Sequence, residues 1–324
     1  MPIITGREKA LEVYEEFRKK NVAMAIFCTA SHWNTEAILL AASRFAHKHG
    51  LEKITLSVAM TFNYEYMPQA CRVNYDENAR EGFMSVMEHL KVLCGGEDAT
   101  YSNVTALPHL DHGDPVRDKW ALTEGLPYLA SVMFDAQKYS EADNVALTKE
   151  YVKNYGDKVL IEGIMEELSV EGHSSGGGKD GYIEKALGYI SETGIDFLVA
   201  DLGTEQQSSS AGRCIYKGDR ARELTESLGK SMLVLHGTSC LTNDQMSSLA
   251  DDGIIRVNMW TRIAREAGQY AAQRLMNRIN EINAGNFEAT ESKQYLHDSI
   301  EKAAEIMEEI LGILGYARLA GGPN

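Results

Sequence analysis

Several features are missing from this chain, and each absence removes a class of protein. No apolar run approaches the roughly 18 residues that a membrane-spanning helix needs. The opening Met1-Pro2-Ile3-Ile4-Thr5-Gly6-Arg7 lacks the basic-then-apolar pattern of a signal peptide, so a cytoplasmic address is expected. Five cysteines in 324 residues, at 28, 71, 94, 214 and 240, form no CxxC pair and are odd in number. That predicts reduced thiols rather than a disulfide framework, with Cys28 and Cys94 as small core residues. Positive charge is scarce. The formal net charge of −15 is the opposite of a nucleic-acid-binding footprint. An anionic substrate would therefore need locally placed donors, such as backbone amides, rather than a general positive field. No GxGxxG follows the first strand-like run, and no repeat or linker-like change of composition divides the chain.

What remains, 44% hydrophobic and 24% charged, is the composition of an ordinary globular protein. Apolar spacing predicts a helix over 7–20, then a buried strand over 22–28 and a helix from Asn34 to His49, stopped by Gly50. Further strands are expected over 54–60, 104–109, 129–134, 159–164, 197–202, 232–235 and 254–259. Helices are expected between them, over 77–93, 115–124, 141–154, 182–192, 219–228 and 242–251, with two longer ones over 261–283 and 291–315 closing the chain. Eight alternating strand and helix units are the number that closes an α/β TIM barrel, with extra N-terminal and C-terminal helices, as a single domain over 1–324.

In such a barrel the active site lies at the C-terminal ends of the strands. There the sequence places His109-Leu110-Asp111-His112-Gly113, an acid beside two imidazoles, which suits proton transfer and metal binding. Residues 109 and 111 of an extended strand share one face and 112 turns away unless the strand has ended. Asp135 follows the fourth strand, Glu162 lies in the fifth, Asp201 ends the sixth and His236 the seventh. His112 and His236 can meet over the mouth as metal ligands, with Glu162 a reasonable third; Asp201 reads as a turn cap. Gly237-Thr238-Ser239 and Asn258 with Thr261 follow strands seven and eight, where this fold binds phosphate. The Ser/Gly loop 171–181 reads as a lid, with Glu171 a candidate acid or base carried in on closure.

The motifs His109-Leu110-Asp111-His112-Gly113, Ser131-Val132-Met133-Phe134-Asp135, Asn144-Val145-Ala146-Leu147-Thr148-Lys149-Glu150, Leu233-Val234-Leu235-His236-Gly237 and Val257-Asn258 resemble the class II ketose-bisphosphate aldolases. That family includes fructose- and tagatose-bisphosphate enzymes, and order and spacing agree over about 22–265. The resemblance implies a zinc-dependent retro-aldol cleavage of a phosphorylated ketose to dihydroxyacetone phosphate and an aldehyde. It implies Asp111 as proton donor, His112 and His236 as zinc ligands, and Asp135 by the metal site. Gly237, Ser239, Asn258 and Thr261 would hold phosphate or the dihydroxyacetone end, with Gly203 and Gln206 counted among these contacts. No Schiff-base lysine is called for.

The chain departs from the family at several points. Gln206 stands where the family's Gly-Thr-Ala-His-Gly run carries a third zinc-binding histidine, which weakens the expected site for zinc or another divalent ion; Glu205 could substitute after a small shift. Glu162-Gly163-Ile164 replaces Glu-x-Glu, Trp260 replaces an acidic residue before threonine, and Gln137-Lys138 replaces Ser-His. Enediolate chemistry of another kind (an isomerase or epimerase), or a non-catalytic sugar-phosphate-binding subunit, are the alternatives. Broad apolar faces on the two final helices predict a homodimer or higher homo-oligomer, with neither nucleic acid nor membrane as partner.

Overall fold

The structure is a computed structural model that describes residues 2–166, 168, 181–209, 211, 212, 214–286 and 293–320, with side chains of the last segment from 297. Eight parallel strands close a barrel in sequence order, β1 pairing with β8. They are β1 (Met24–Cys28), β2 (Ile54–Thr61), β3 (Val104–Gly113), β4 (Ser131–Phe134), β5 (Leu160–Ile164), β6 (Phe197–Val199), β7 (Leu233–Leu235) and β8 (Ile254–Met259). Except for Thr55 every residue in them is buried, as expected when side chains fill the lumen on one face and helices cover the other.

The helices are α1 (Arg7–Lys20), α2 (His32–His49), α3 (Ala79–Cys94), α4 (Glu141–Tyr155), α5 (Tyr182–Thr193), α6 (Gly218–Leu228), α7 (Asn243–Ser247), α8 (Thr261–Asn277), α9 (Ile279–Asn283) and α10 (Lys293–Ile313). Several start where a side chain takes over an orphan amide: Ser31, Asn78 and Ser140 each accept from first-turn N–H groups. α10 packs on α2 and α8, burying Ile300, Ala303, Ile306, Met307, Ile310 and Leu311. Much of the apolar face expected to serve an oligomer is thus used within the chain. Among the described residues, no helix is long and apolar enough to cross a membrane.

Two expectations are corrected. The helix expected over 115–124 is a series of turns ending in a 3-10 turn at Leu126–Tyr128. Asp114 Oδ1 accepts from the amides of Val116 and Arg117, and Asp118 accepts from those of Asp114 and Asn63. Carboxylates that satisfy nearby amides compete with a helix for them. The second correction is a disulfide: Cys214 and Cys240 are bonded, with Cα atoms 5.7 Å apart, while Cys28, Cys71 and Cys94 are free thiols. Their separation of 26 residues hid the pair, because only the fold brings the loop after β6 against the turn after β7.

Candidate active site at the mouth of the barrel

The strand carrying the two imidazoles is irregular where it matters. β3 continues through Gly113, but its pairing with β4 shifts register between Leu110 and Gly113. Within this bulge His112 adopts a left-handed φ of 49°, a conformation costing a non-glycine residue about 1–2 kcal/mol. The kink turns His112 toward the same cavity as its neighbour Asp111 instead of away from it. His112 Nδ1 then lies 2.7 Å from Asp135 Oδ2, and its ring stacks on Tyr64 with centroids 4.1 Å apart. Because Asp135 can only accept at neutral pH, Nδ1 carries a proton, which makes Nε2 the nitrogen that can offer a lone pair to a cation.

His236, one residue beyond β7, meets His112 edge to face at 5.1 Å between centroids. One ligand atom from each of Asp111, His112 and His236 lies within 4.8 Å of the other two. All three residues are buried, and Asp111 Oδ1 has no hydrogen-bond partner among the described residues. Asp111 Oδ2 faces the Cys28 thiol at 3.8 Å, and that thiol lies 2.9 Å from Asn258 Oδ1. Burial pushes the His236 imidazole down to about 4, partly offset by Asp111, so the ring is neutral near pH 7. For His112 burial pulls the same way, but Asp111 and Asp135 outweigh it and raise its pKa. Burial pushes the Asp135 carboxyl up, but the hydrogen bond and charge of His112 together with the Gln137 amide outweigh it and hold it below the usual carboxylate range. Two imidazoles and a carboxylate with an unused oxygen form a donor set that fits a divalent cation.

The opposite wall carries hydroxyls, amides and backbone. The cavity is lined there by Gln206, Gln207, Gly237, Thr238, Ser239, Asn258, Trp260 and Thr261. Gly237 has a φ of 72°, and a Cβ on it would come within 2.8 Å of the Glu205 backbone, so a glycine is required there twice over. Ser239 Oγ accepts from the Ser208 amide, and Thr238 Oγ1 donates to Asn258 O. α8 begins at Thr261 without a side-chain cap or an acidic residue in its first turn. Its free amides and positive dipole end favour an anion.

Below this wall the lumen is closed. Arg256 of β8 is fully buried, with Nε 2.5 Å from Glu162 Oε1 and its terminal nitrogens 3.1 and 3.2 Å from Ser131 Oγ. His109 joins from β3, its Nδ1 2.9 Å from Ser131 Oγ and its Nε2 3.8 Å from Glu162 Oε2. Burial pushes the Glu162 carboxyl up to about 7 against the pull of Arg256.

The structure brings Asp111, His112, His236, Gln206, Gly237, Ser239, Asn258 and Thr261 to one cavity. Glu162 is not in the cluster of donors; expected as a metal ligand, it is instead the partner of Arg256. Asp135 reaches the site through His112, and its Oδ1 also accepts from the Gln137 amide. Asp201 caps a turn by accepting from the Gly203 amide, and Gly203 lies outside the lining, a Cβ there meeting Ile215 O at 2.4 Å. Glu205 does not line the cavity. Glu171 and nearly all of the Ser/Gly loop fall outside the described residues. Sequence reasoning missed Tyr64, Gln69 and the place of Cys28 in the wall. Only Cys28, the last residue of a strand-like run, carried a positional signal.

A family model described as fructose-bisphosphate aldolase class-II matches residues 8–318. A fructose-bisphosphate aldolase of Streptococcus pneumoniae is 29% identical over 217 residues, covering 64% of this chain and 70% of that protein. A 6-phospho-5-dehydro-2-deoxy-D-gluconate aldolase of Shouchella clausii is 30% identical over 196 residues, covering 56% and 60% of the two chains. Among solved structures, a fructose-bisphosphate aldolase from Campylobacter jejuni superposes with a TM-score of 0.74 at 14% identity, covering 96% of this chain and 95% of the other. The YdjI aldolase from Escherichia coli K12 gives 0.60 at 18% identity, with coverages of 93% and 94%. At such identities these structures support the fold alone.

Proposed function

Because the chain belongs to the class-II fructose-bisphosphate aldolase family, a family of lyases, we propose that it cleaves and re-forms a phosphorylated ketose by a metal-assisted aldol reaction at the barrel mouth. The products would be dihydroxyacetone phosphate, or a related donor, and an aldehyde. The observation that carries the reading is the convergence of Asp111, His112 and His236 within 4.8 Å on the floor of the mouth.

His112, through Nε2, and His236 are the side chains that would hold zinc or another divalent ion. Such an ion, when bound, supplies Lewis-acid polarisation of the ketose carbonyl and stabilisation of an enediolate. Asp135 fixes the tautomer of His112 by accepting from Nδ1. Asp111 is the proton carrier: in condensation it gives a proton to the aldehyde carbonyl oxygen, and in cleavage it takes that proton back from the hydroxyl. Its unpaired Oδ1 is the atom free to do so. Phosphate binds to the amides and hydroxyls of Gly237, Ser239 and Thr261, with Asn258 beside them. Gln206 offers only an amide where the family presents an imidazole, so the ion is held weakly. The whole chain, 1–324, acts as one such domain, and its homo-oligomers form through the exposed Tyr270, Met276 and Ile279 of α8 and α9.

Elemental analysis before and after chelation, with a turnover assay over a panel of ketose phosphates, tests this. About one ion per chain and chelator-sensitive cleavage of one panel member are expected. The Asp111→Ala variant should lose turnover by roughly 100- to 10,000-fold while keeping its fold. Metal-loaded protein that cleaves none of the panel, or full activity in that variant, overturns the reading.

A further inference from the structure

The loop after β6 supplies Gln206 and Gln207 to the cavity, and it is held mainly by the turn after β7. Thr204 Oγ1 donates to His236 O, the Ser208 amide to Ser239 Oγ, and the Gly212 amide to Cys240 O. The two backbones touch at Gly237, where no side chain would fit against Glu205. One covalent bond secures this contact, the disulfide between Cys214 and Cys240. Cys240 is fully buried directly behind Ser239, and Cys214 is buried too, at 9%, although the next residue, Ile215, is 83% exposed. The Glu205 amide also points at the Cys240 sulfur, at 3.4 Å.

We infer that this disulfide is a redox switch on the substrate cavity, resting on the reading of that cavity as the site for a phosphorylated ketose. In the oxidised form the Gln206–Gln207 segment is clamped against Gly237–Ser239, and the wall of amides and hydroxyls is complete. A dithiol reductant opens it. Its thiolate attacks the sulfur of Cys214, the less buried of the two, the S–S bond breaks, and Cys240 leaves as a thiolate that takes up a proton. The second thiol of the reductant then displaces Cys214, so that two electrons pass to the protein and the reductant becomes a disulfide. The freed loop then keeps its hydrogen bonds without the covalent clamp to the β7 turn, and anion binding weakens.

Thiol titration of the protein denatured without reductant should find three thiols, the five cysteines less the bonded two, and five after reduction. Calorimetry with dihydroxyacetone phosphate should then show at least tenfold weaker binding after treatment with a phosphine reductant, restored on reoxidation. The Cys214→Ser variant should show the weak value with and without reductant. Five thiols before reduction, or equal affinity in all three forms, overturns the switch and leaves the reading of the site standing. No binding in any form overturns both.

Discussion

His236 is a buried imidazole held neutral, its Nε2 3.4 Å from Asn258 Nδ2. Its folded pKa is depressed to about 4, so above its unfolded value near 6.5 its full contribution to stability is present. As pH falls from there toward 4 the unfolded chain takes the proton first, and stability is lost. A shift of that size corresponds to about 3 kcal/mol. Urea melts of chelated protein, read as the difference between wild type and His236→Asn at pH 7 and pH 4.5, isolate this residue; a difference that does not change with pH contradicts the account. Gln206 lines the same cavity without an imidazole. Restoring one by Gln206→His should raise zinc affinity at least tenfold, measured by chelator competition. Removing the outer partner, as Asp135→Asn, should lower it by roughly 10- to 100-fold, because the tautomer of His112 is no longer enforced.

The β5 and β8 strands meet in one ion pair whose single and double replacement should differ sharply. Arg256→Met leaves the Glu162 carboxyl alone in the lumen, where burial, no longer opposed by Arg256, drives it to take up a proton, and unfolding should become easier by up to about 3–5 kcal/mol. Arg256→Met combined with Glu162→Leu removes both charges, and most of that loss should disappear. Additive losses in the double variant would mean that packing, not charge pairing, is what the pair supplies. The crosslink between the β6 loop and the β7 turn closes 26 residues, which in the chain-entropy account corresponds to about 3.5 kcal/mol of stability lost on reduction. What could be read from sequence divides along the same line between local and long-range. The strands, most helices and the polar strand ends were legible because they follow from spacing along the chain. The Asp114 and Asp118 turns, the bulge at His112, the Arg256–Glu162 pair and the Cys214–Cys240 bond were not, since each depends on which distant backbone or side chain arrives. Glu162 shows the limit best: as a polar residue in a strand it looked like a ligand, and only Arg256 on another strand shows its charge to be engaged.

Taken whole, the molecule is an acidic body whose mouth is the place proposed above for an anion. At a formal net charge of −15, the protein repels the phosphorylated substrate at long range while local amides attract it. Salt screens the first effect more than the second, since the Debye length falls from about 30 Å at 0.01 M to about 8 Å at 0.15 M. Association of dihydroxyacetone phosphate should therefore speed up as salt rises through this range, which stopped-flow binding can measure; a slowing would point to a local cationic patch at the mouth. The barrel was the most legible level of all, because eight alternating units leave few other ways to bury so many apolar strands. Its lumen is filled below the mouth by Arg256, Glu162, His109 and Ser131, so among the described residues the cavity does not run through the barrel. In the reaction proposed above, traffic would be two-way on a single path, with ketose, aldehyde, phosphate product and the proton exchanged at Asp111 all passing the same rim. Whatever gates that rim, the β6 loop included, sets the tempo for arrivals and departures together.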